Sequence, residues 1–113
     1  MPYSAEFLAS VEASLAVELP LEVRPMFGGA GLVHRGLLFG IVAGSSLYLR
    51  TDSENEDLFL RAGCRPFADA PPEAGIAFYE VPKEVLGNPA LLREWSRSAI
   101  GAADRARRAR DAQ

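Results

Sequence analysis

The sequence predicts a single α+β domain of two layers, a mainly antiparallel sheet with helices packed on one side. Apolar residues recur at helical spacing near both ends of the chain, and short extended segments joined by tight turns lie between them. The chain has 113 residues, of which 49% are hydrophobic, and this suits one domain that buries its own core. The expected order of elements is α-β-β-β-β-α-β-α.

The first helix is predicted to begin after Ser4, whose hydroxyl suits an N-cap. Phe7, Val11 and Leu15 recur every four residues and indicate the buried face of this helix. Pro20 cannot continue a helix, so the helix is expected to end before it.

Four strands are expected next, and their short connections predict an antiparallel meander. Pro25 places the first strand at a sheet edge or at a strand start. Arg35 and Gly36 form a suitable hairpin turn, since glycine adopts a positive φ at little cost. The predicted strands cover residues 23–27, 32–34, 37–42 and 47–50.

The second half of the chain is predicted to contain two helices and one strand. Ser53 and Glu56 match a capping box that starts the second helix, and Gly63 can end it. A proline-containing loop and a strand over residues 76–81 follow. Asn88-Pro89 predicts the start of the last helix. The expected buried residues of that helix are Leu91, Leu92, Trp95, Ala99 and Ile100.

Composition limits the classes of function. Cys64 is the only cysteine, which excludes an intrachain disulfide and a multi-cysteine metal site and suits a reducing cytoplasm. The N-terminal residues lack the basic and apolar regions of a signal peptide. The longest apolar run, residues 37–43, is far shorter than the roughly 20 residues that span a bilayer. We therefore expect a cytoplasmic protein without membrane contact.

The residues that could support catalysis have simpler interpretations. Gly28, Gly29 and Gly31 precede a strand, whereas a phosphate-binding loop leads into a helix, so a bend or bulge is expected. His34 lies beside a turn, and the sequence indicates no third group to orient it as a base. Cys64 is expected to be a small buried residue, with a reactive thiol as the alternative.

Four carboxylates gather near residue 55, and helix capping together with the helix dipole explains their position. They are Asp52, Glu54, Glu56 and Asp57. No HExxH, EF-hand or cysteine–histidine ligand motif is present. We therefore expect no catalytic residue, no metal ligand and no cofactor, and a protein that is not an enzyme. The alternative is a small-molecule or catalytic role in a pocket beneath the Pro71-Pro72 loop.

Arginines cluster at the C-terminus, and we expect a domain over residues 1–100 followed by a basic Ala/Arg helical tail over residues 101–113. The tail arginines, Arg105, Arg107, Arg108 and Arg110, could contact nucleic-acid phosphates or an acidic partner. The alternative is a solvated helix end, where the dipole favours cations. Asp104 and Asp111 dilute the patch, and the net charge of −3 disfavours non-specific nucleic-acid binding.

A second interaction surface is expected around Arg24, Met26 and Phe27 and at the strand edge of Tyr79, although a core role suits these residues equally. An edge strand offers unpaired N–H and C=O groups to another chain. Strand-mediated dimerisation or peptide binding would use those groups.

The segment Arg24-Pro25-Met26-Phe27-Gly28-Gly29-Ala30-Gly31-Leu32, followed by Gly36–Gly40 and Leu47–Arg50, resembles the N-terminal domain of the competence regulator TfoX (Sxy). The later segments 62–63, 66–67, 79–82 and 92–95 also fit, so the resemblance extends from about the first helix to Ile100.

This resemblance implies an architecture similar to small secretion chaperones, which are mostly dimeric protein binders, and a link to competence and transcription regulation. It offers no catalytic residue. Full-length members carry a second, helical domain, so a stand-alone N-terminal-type domain is expected here. The expected function is a non-enzymatic regulatory or protein-interaction domain, whose partner is another protein or a second copy. The alternative is direct nucleic-acid binding through the arginine tail.

Overall fold

The structure is a computed structural model, and it describes residues 3–26, 28–67 and 77–112. The five strands in these ranges form one sheet in the order β1-β2-β3-β4-β5, with every neighbouring pair antiparallel. The α+β class and the meander are confirmed. The elements are α1 (Ala5–Leu15), β1 (Glu22–Met26), β2 (Gly29–His34), β3 (Leu37–Ala43), β4 (Ser46–Thr51), α2 (Glu56–Arg61), β5 (Ala77–Glu80), α3 (Lys83–Leu86) and α4 (Pro89–Asp111).

The helices cover one side of the sheet, as the sequence predicted, and share one hydrophobic core with it. The ring of Trp95 meets that of Phe59 edge-on, with the centroids 4.9 Å apart. Each large apolar side chain buried in such a core contributes about 1.5–3 kcal/mol. The helical members of the core are Leu8, Val11, Leu15, Phe59, Val85, Leu92, Trp95 and Ala99.

The other face of the sheet carries a smaller cluster of Ile41, Phe67 and Phe78. Phe67 reaches it because the preceding segment runs beside β5. The Phe67 N–H donates to the Phe78 carbonyl and the Glu80 N–H donates to the Arg65 carbonyl, both at 2.8 Å. This segment therefore covers the outer edge of β5.

The first helix begins as predicted, with the Phe7 N–H donating to the Ser4 hydroxyl at 3.1 Å. The helix ends at Leu15, and residues 16–18 form turns before Leu19. Leu19 nevertheless stays buried in the core.

The glycine run shapes the β1–β2 hairpin, in agreement with the predicted bend. Gly28 has a φ of 77°, which makes the turn, and β2 begins at Gly29, earlier than predicted. A Cβ atom at Gly29 would overlap the Val42 carbonyl oxygen, so only glycine lets β2 approach β3 so closely. The predicted turn at Arg35 and Gly36 is confirmed, with φ angles of 49° and 79°.

The predicted capping box before α2 is wrong. The Asp52 carboxylate instead accepts the Glu54 and Asn55 N–H groups at 2.9 and 3.3 Å, in the turn that precedes the helix. The helix begins at Glu56 and not near Ser53, and no side chain caps its first turn. Asn55 is buried and its side chain links the backbone of Arg50 to that of α4.

The last third of the chain contains the one-turn helix α3, which the sequence did not indicate, and the long helix α4. The predicted start of α4 is confirmed, since the Leu91 N–H donates to the Asn88 side chain at 3.2 Å. Leu91 itself is exposed, contrary to expectation. The helix continues without a break past residue 100 to Asp111, and Ala102 and Ala103 are buried.

Candidate functional site

The predicted interaction residues fall into two separate groups. Arg24 and Met26 lie on β1, at the edge of the sheet, while Phe27 lies outside the described residues. The tail arginines lie on α4, which packs on β3 and β4. The fold does not bring the two groups into one site.

Strand β1 is the outermost strand on its side of the sheet, and its partner on the inner side is β2. Arg65 and Phe67 cover the β5 edge. No described segment apart from β2 pairs with β1, so the β1 edge is uncovered. Its backbone therefore offers hydrogen-bonding groups to a further strand.

The side chains of β1 alternate in charge and polarity. Arg24 donates to the carboxylate of Glu22 at 3.0 Å, and both side chains are more than half exposed. Met26 is half-buried opposite Gly29, and Gly31 leaves it room, because a Cβ at Gly31 would lie 3.2 Å from the Met26 Cβ. The strand thus presents one exposed ion pair and two partly buried apolar residues, Val23 and Met26.

Most arginines of the tail already contact carboxylates of the same chain. Arg105 donates to Asp52 at 2.7 and 2.9 Å and also lies 3.0 Å from the Glu54 carboxylate. This hydrogen-bonded pair raises the pKa of Arg105 and lowers the pKa of Asp52. Arg107 and Arg108 both contact Asp104, at 3.5 and 2.9 Å.

Arg110, the last member of the tail, lines a cleft with Arg50 and Arg107. Arg50 was not predicted as a site residue. Burial lowers its pKa, and the nearby charge of Arg110 lowers it further. A sequence gives no direct signal for this arrangement, because residues 50 and 110 meet only through the packing of α4 on the sheet.

His34 and Cys64, the two residues considered for catalysis, lie in different parts of the fold. The Nδ1 atom of His34 is 2.7 Å from the Pro20 carbonyl oxygen, so this nitrogen carries the proton and ties β2 to the α1–β1 connection. Cys64 is half-buried beside the core, and burial raises the pKa of its thiol, with Glu80 adding to the effect. A raised pKa leaves less of the reactive thiolate at neutral pH.

The described residues form neither a metal centre nor a membrane-spanning helix. Within the described ranges, no three His, Cys, Asp or Glu side chains are grouped as metal ligands. Of the helices in those ranges, none has the length and apolar character to cross a bilayer. The Pro71-Pro72 loop, considered above for a ligand pocket, lies outside the described residues.

Comparison with known proteins gives one family. Residues 14–103 match the family model of the TfoX N-terminal domain. The match begins inside α1 and ends inside α4, so it includes all five strands of the sheet. It confirms the resemblance found in the sequence. No curated protein is similar enough to count as a match.

Proposed function

The chain belongs to the TfoX N-terminal domain family, and from this we propose a non-enzymatic regulatory domain that acts through protein contact at the β1 edge. The proposal includes a cytoplasmic location and a role in transcription or competence regulation, which is the role linked to this family. The supporting observation is the asymmetry of the sheet, whose β5 edge is covered by residues 65–67 while β1 is uncovered in the described part of the chain.

The partner that this edge suits best is a second copy of the same chain. A two-fold axis through Val23 would pair two β1 strands antiparallel and place Glu22 of each copy opposite Arg24 of the other. Opposite charges directly across an antiparallel pair are stabilising, and like charges are destabilising. The edge is therefore self-complementary, as a two-fold interface requires.

Pro25 agrees with this register. Proline lacks an N–H, and it occurs in edge strands with that side directed away from the sheet. The backbone of Val23, two residues earlier, then also faces outward and can exchange two hydrogen bonds with its copy. Pro25 limits the ladder to a short one, which suits a reversible contact.

The tail supports direct nucleic-acid binding less well. Arg105 and Arg108 already have carboxylate partners within 3 Å, and a bound phosphate would have to displace those carboxylates. Binding to a phosphate backbone draws its affinity from uncompensated cations.

Charge reversal tests the proposed contact. In the Arg24→Glu variant, residue 24 of each copy carries a carboxylate that faces Glu22 of the other copy. We expect sedimentation velocity to show a weaker dimer. The double variant Glu22→Arg/Arg24→Glu restores the complementary charges and should restore the dimer. Both side chains are exposed, so the free energy of unfolding should change by less than about 0.5 kcal/mol. Equal sedimentation of all three proteins would contradict the proposal.

A further inference from the structure

We propose that the cleft between α4 and the adjoining ends of β3 and β4 binds a small phosphate-bearing ligand through Arg50, Arg107 and Arg110. This inference is independent of the β1 contact, which lies elsewhere on the sheet.

The wall of the cleft on α4 is one face of that helix. Ala103, Ala106, Arg107 and Arg110 follow the i, i+3, i+4, i+7 spacing that places side chains on a single helical face. The two alanines leave space next to the sheet, and the two arginines border it. Arg108 lies on another face of the helix and is bound to Asp104 at 2.9 Å.

The opposite wall carries Arg50, a half-buried cation. Its Nη1 atom donates to the Leu38 carbonyl oxygen at a long 3.4 Å, and no carboxylate of the described residues lies within 4.0 Å. Asp52, the carboxylate whose charge acts on Arg50, is held by two hydrogen bonds from Arg105. Arg50 therefore keeps most of its hydrogen-bonding capacity for another group.

The charges around the cleft are under-compensated. Arg107 has one weak contact, 3.5 Å to Asp104, and Arg110 has no ion pair with a described residue. Burial and the charge of Arg110 both lower the pKa of Arg50, and the charge of Asp52 acts in the opposite direction. A bound anion would relieve this repulsion, and guanidinium groups match the oxygens of a phosphate particularly well.

The size and shape of the cleft favour a small ligand over a nucleic acid. Its volume is about 220 Å³, below the roughly 300–1,000 Å³ of pockets for drug-sized molecules. The three arginines converge on one space, whereas a duplex presents phosphates spread along a surface. Asp104 and Asp111 on the same helix would repel an extended strand.

Calorimetric titration with inorganic pyrophosphate at fixed ionic strength tests the site. We expect saturable binding to the wild type, and at least about 10-fold weaker binding to Arg50→Gln and Arg110→Gln, since each loses a charged hydrogen bond. Arg108→Gln is the matched control, because it removes the same charge from another face of α4, and its affinity should equal that of the wild type. Arg110 is exposed, so Arg110→Gln remains informative even if the half-buried Arg50 variant unfolds.

Absence of pyrophosphate binding would overturn the proposal, and so would equal weakening by the Arg108→Gln control. A DNA duplex that binds through Arg50 and Arg110 and is not displaced by pyrophosphate would also overturn it. Tighter binding of adenosine diphosphate would assign the site to an organic diphosphate, and equal binding would assign it to the inorganic anion; both results support the site.

Discussion

Arg105 donates two hydrogen bonds to the carboxylate of Asp52, from Nε to Oδ2 at 2.7 Å and from Nη2 to Oδ1 at 2.9 Å. The two residues are 53 positions apart, and their contact joins the C-terminal half of α4 to the connection between β4 and α2. The same carboxylate accepts the N–H groups that precede α2. A basic segment that resembles a nucleic-acid-binding tail therefore contributes to the fold.

Replacing Asp52 with Asn removes the charge and one acceptor of this contact while keeping the shape of the side chain. We expect the free energy of unfolding to fall by about 1 kcal/mol, because charged hydrogen bonds are among the stronger ones but this pair is about a third exposed. Urea denaturation followed by circular dichroism measures the change. Asp57→Asn is the control, since its 3.7 Å pair with Arg61 is exposed and should contribute almost nothing. Equal losses in both variants would contradict a special role for Asp52.

The contribution of Asp52 should also depend on pH. Its pKa is lowered in the folded protein, mainly by the hydrogen bond from Arg105, so folding favours the ionised carboxylate. The stabilisation is complete above the unfolded pKa of about 3.9 and is lost as the pH falls through the lower folded pKa. The stability difference between the wild type and Asp52→Asn should therefore be full at pH 7 and shrink below about pH 4. A constant difference down to pH 2 would refute this assignment.

Gly29 is expected to tolerate no side chain. Gly29→Ala would press a Cβ against the Val42 carbonyl oxygen, and overpacking of this kind costs about 1–3 kcal/mol. Gly87→Ala is the matched control, because its φ is −80° and its new Cβ would lie 3.5 Å from the Lys83 carbonyl oxygen. Thermal unfolding should show a lower Tm for the first variant and an unchanged or slightly higher Tm for the second. The reverse order would contradict the β2–β3 packing.

Two serines on α4 should respond in opposite ways to alanine. The Ser96 hydroxyl is buried and has no hydrogen-bond partner among the described residues, so Ser96→Ala should leave stability unchanged or raise it. The Ser98 hydroxyl donates to the Trp95 carbonyl at 2.6 Å and lies 3.4 Å from the Asn55 amide nitrogen. Ser98→Ala should therefore cost about 1 kcal/mol in urea denaturation. A larger loss from Ser96→Ala than from Ser98→Ala would contradict the hydrogen bonding of these two hydroxyls.

Local patterns predicted most of the fold. Ser4 and Asn88 cap their helices as expected, because a capping side chain bonds to its own backbone a few residues away. The hairpin at Arg35 and Gly36 is equally local. The helix-start signal at Ser53 was wrong because the Glu56 N–H donates to the Asp52 backbone carbonyl and not to Ser53. In addition, Asn55 has long-range partners on α4 that fix its position.

The candidate sites were less predictable because they depend on distant contacts. The sequence indicated that β1 could be an edge, since Pro25 suits one, but not that residues 65–67 cover the opposite edge. It grouped four tail arginines by proximity in the chain. Folding separates them, with Arg105 bound to Asp52 and Arg110 facing Arg50 across a cleft.

Amide hydrogen exchange of the wild type at low and high protein concentration shows directly whether β1 is a contact edge. Pairing of two β1 strands would give the outward N–H of Val23 a partner, so its exchange should slow as the concentration rises. The Leu91 N–H, already bound to Asn88 on the exposed start of α4, serves as the internal reference and should not change. Exchange of every β1 amide at the same rate at all concentrations would contradict a contact at this edge.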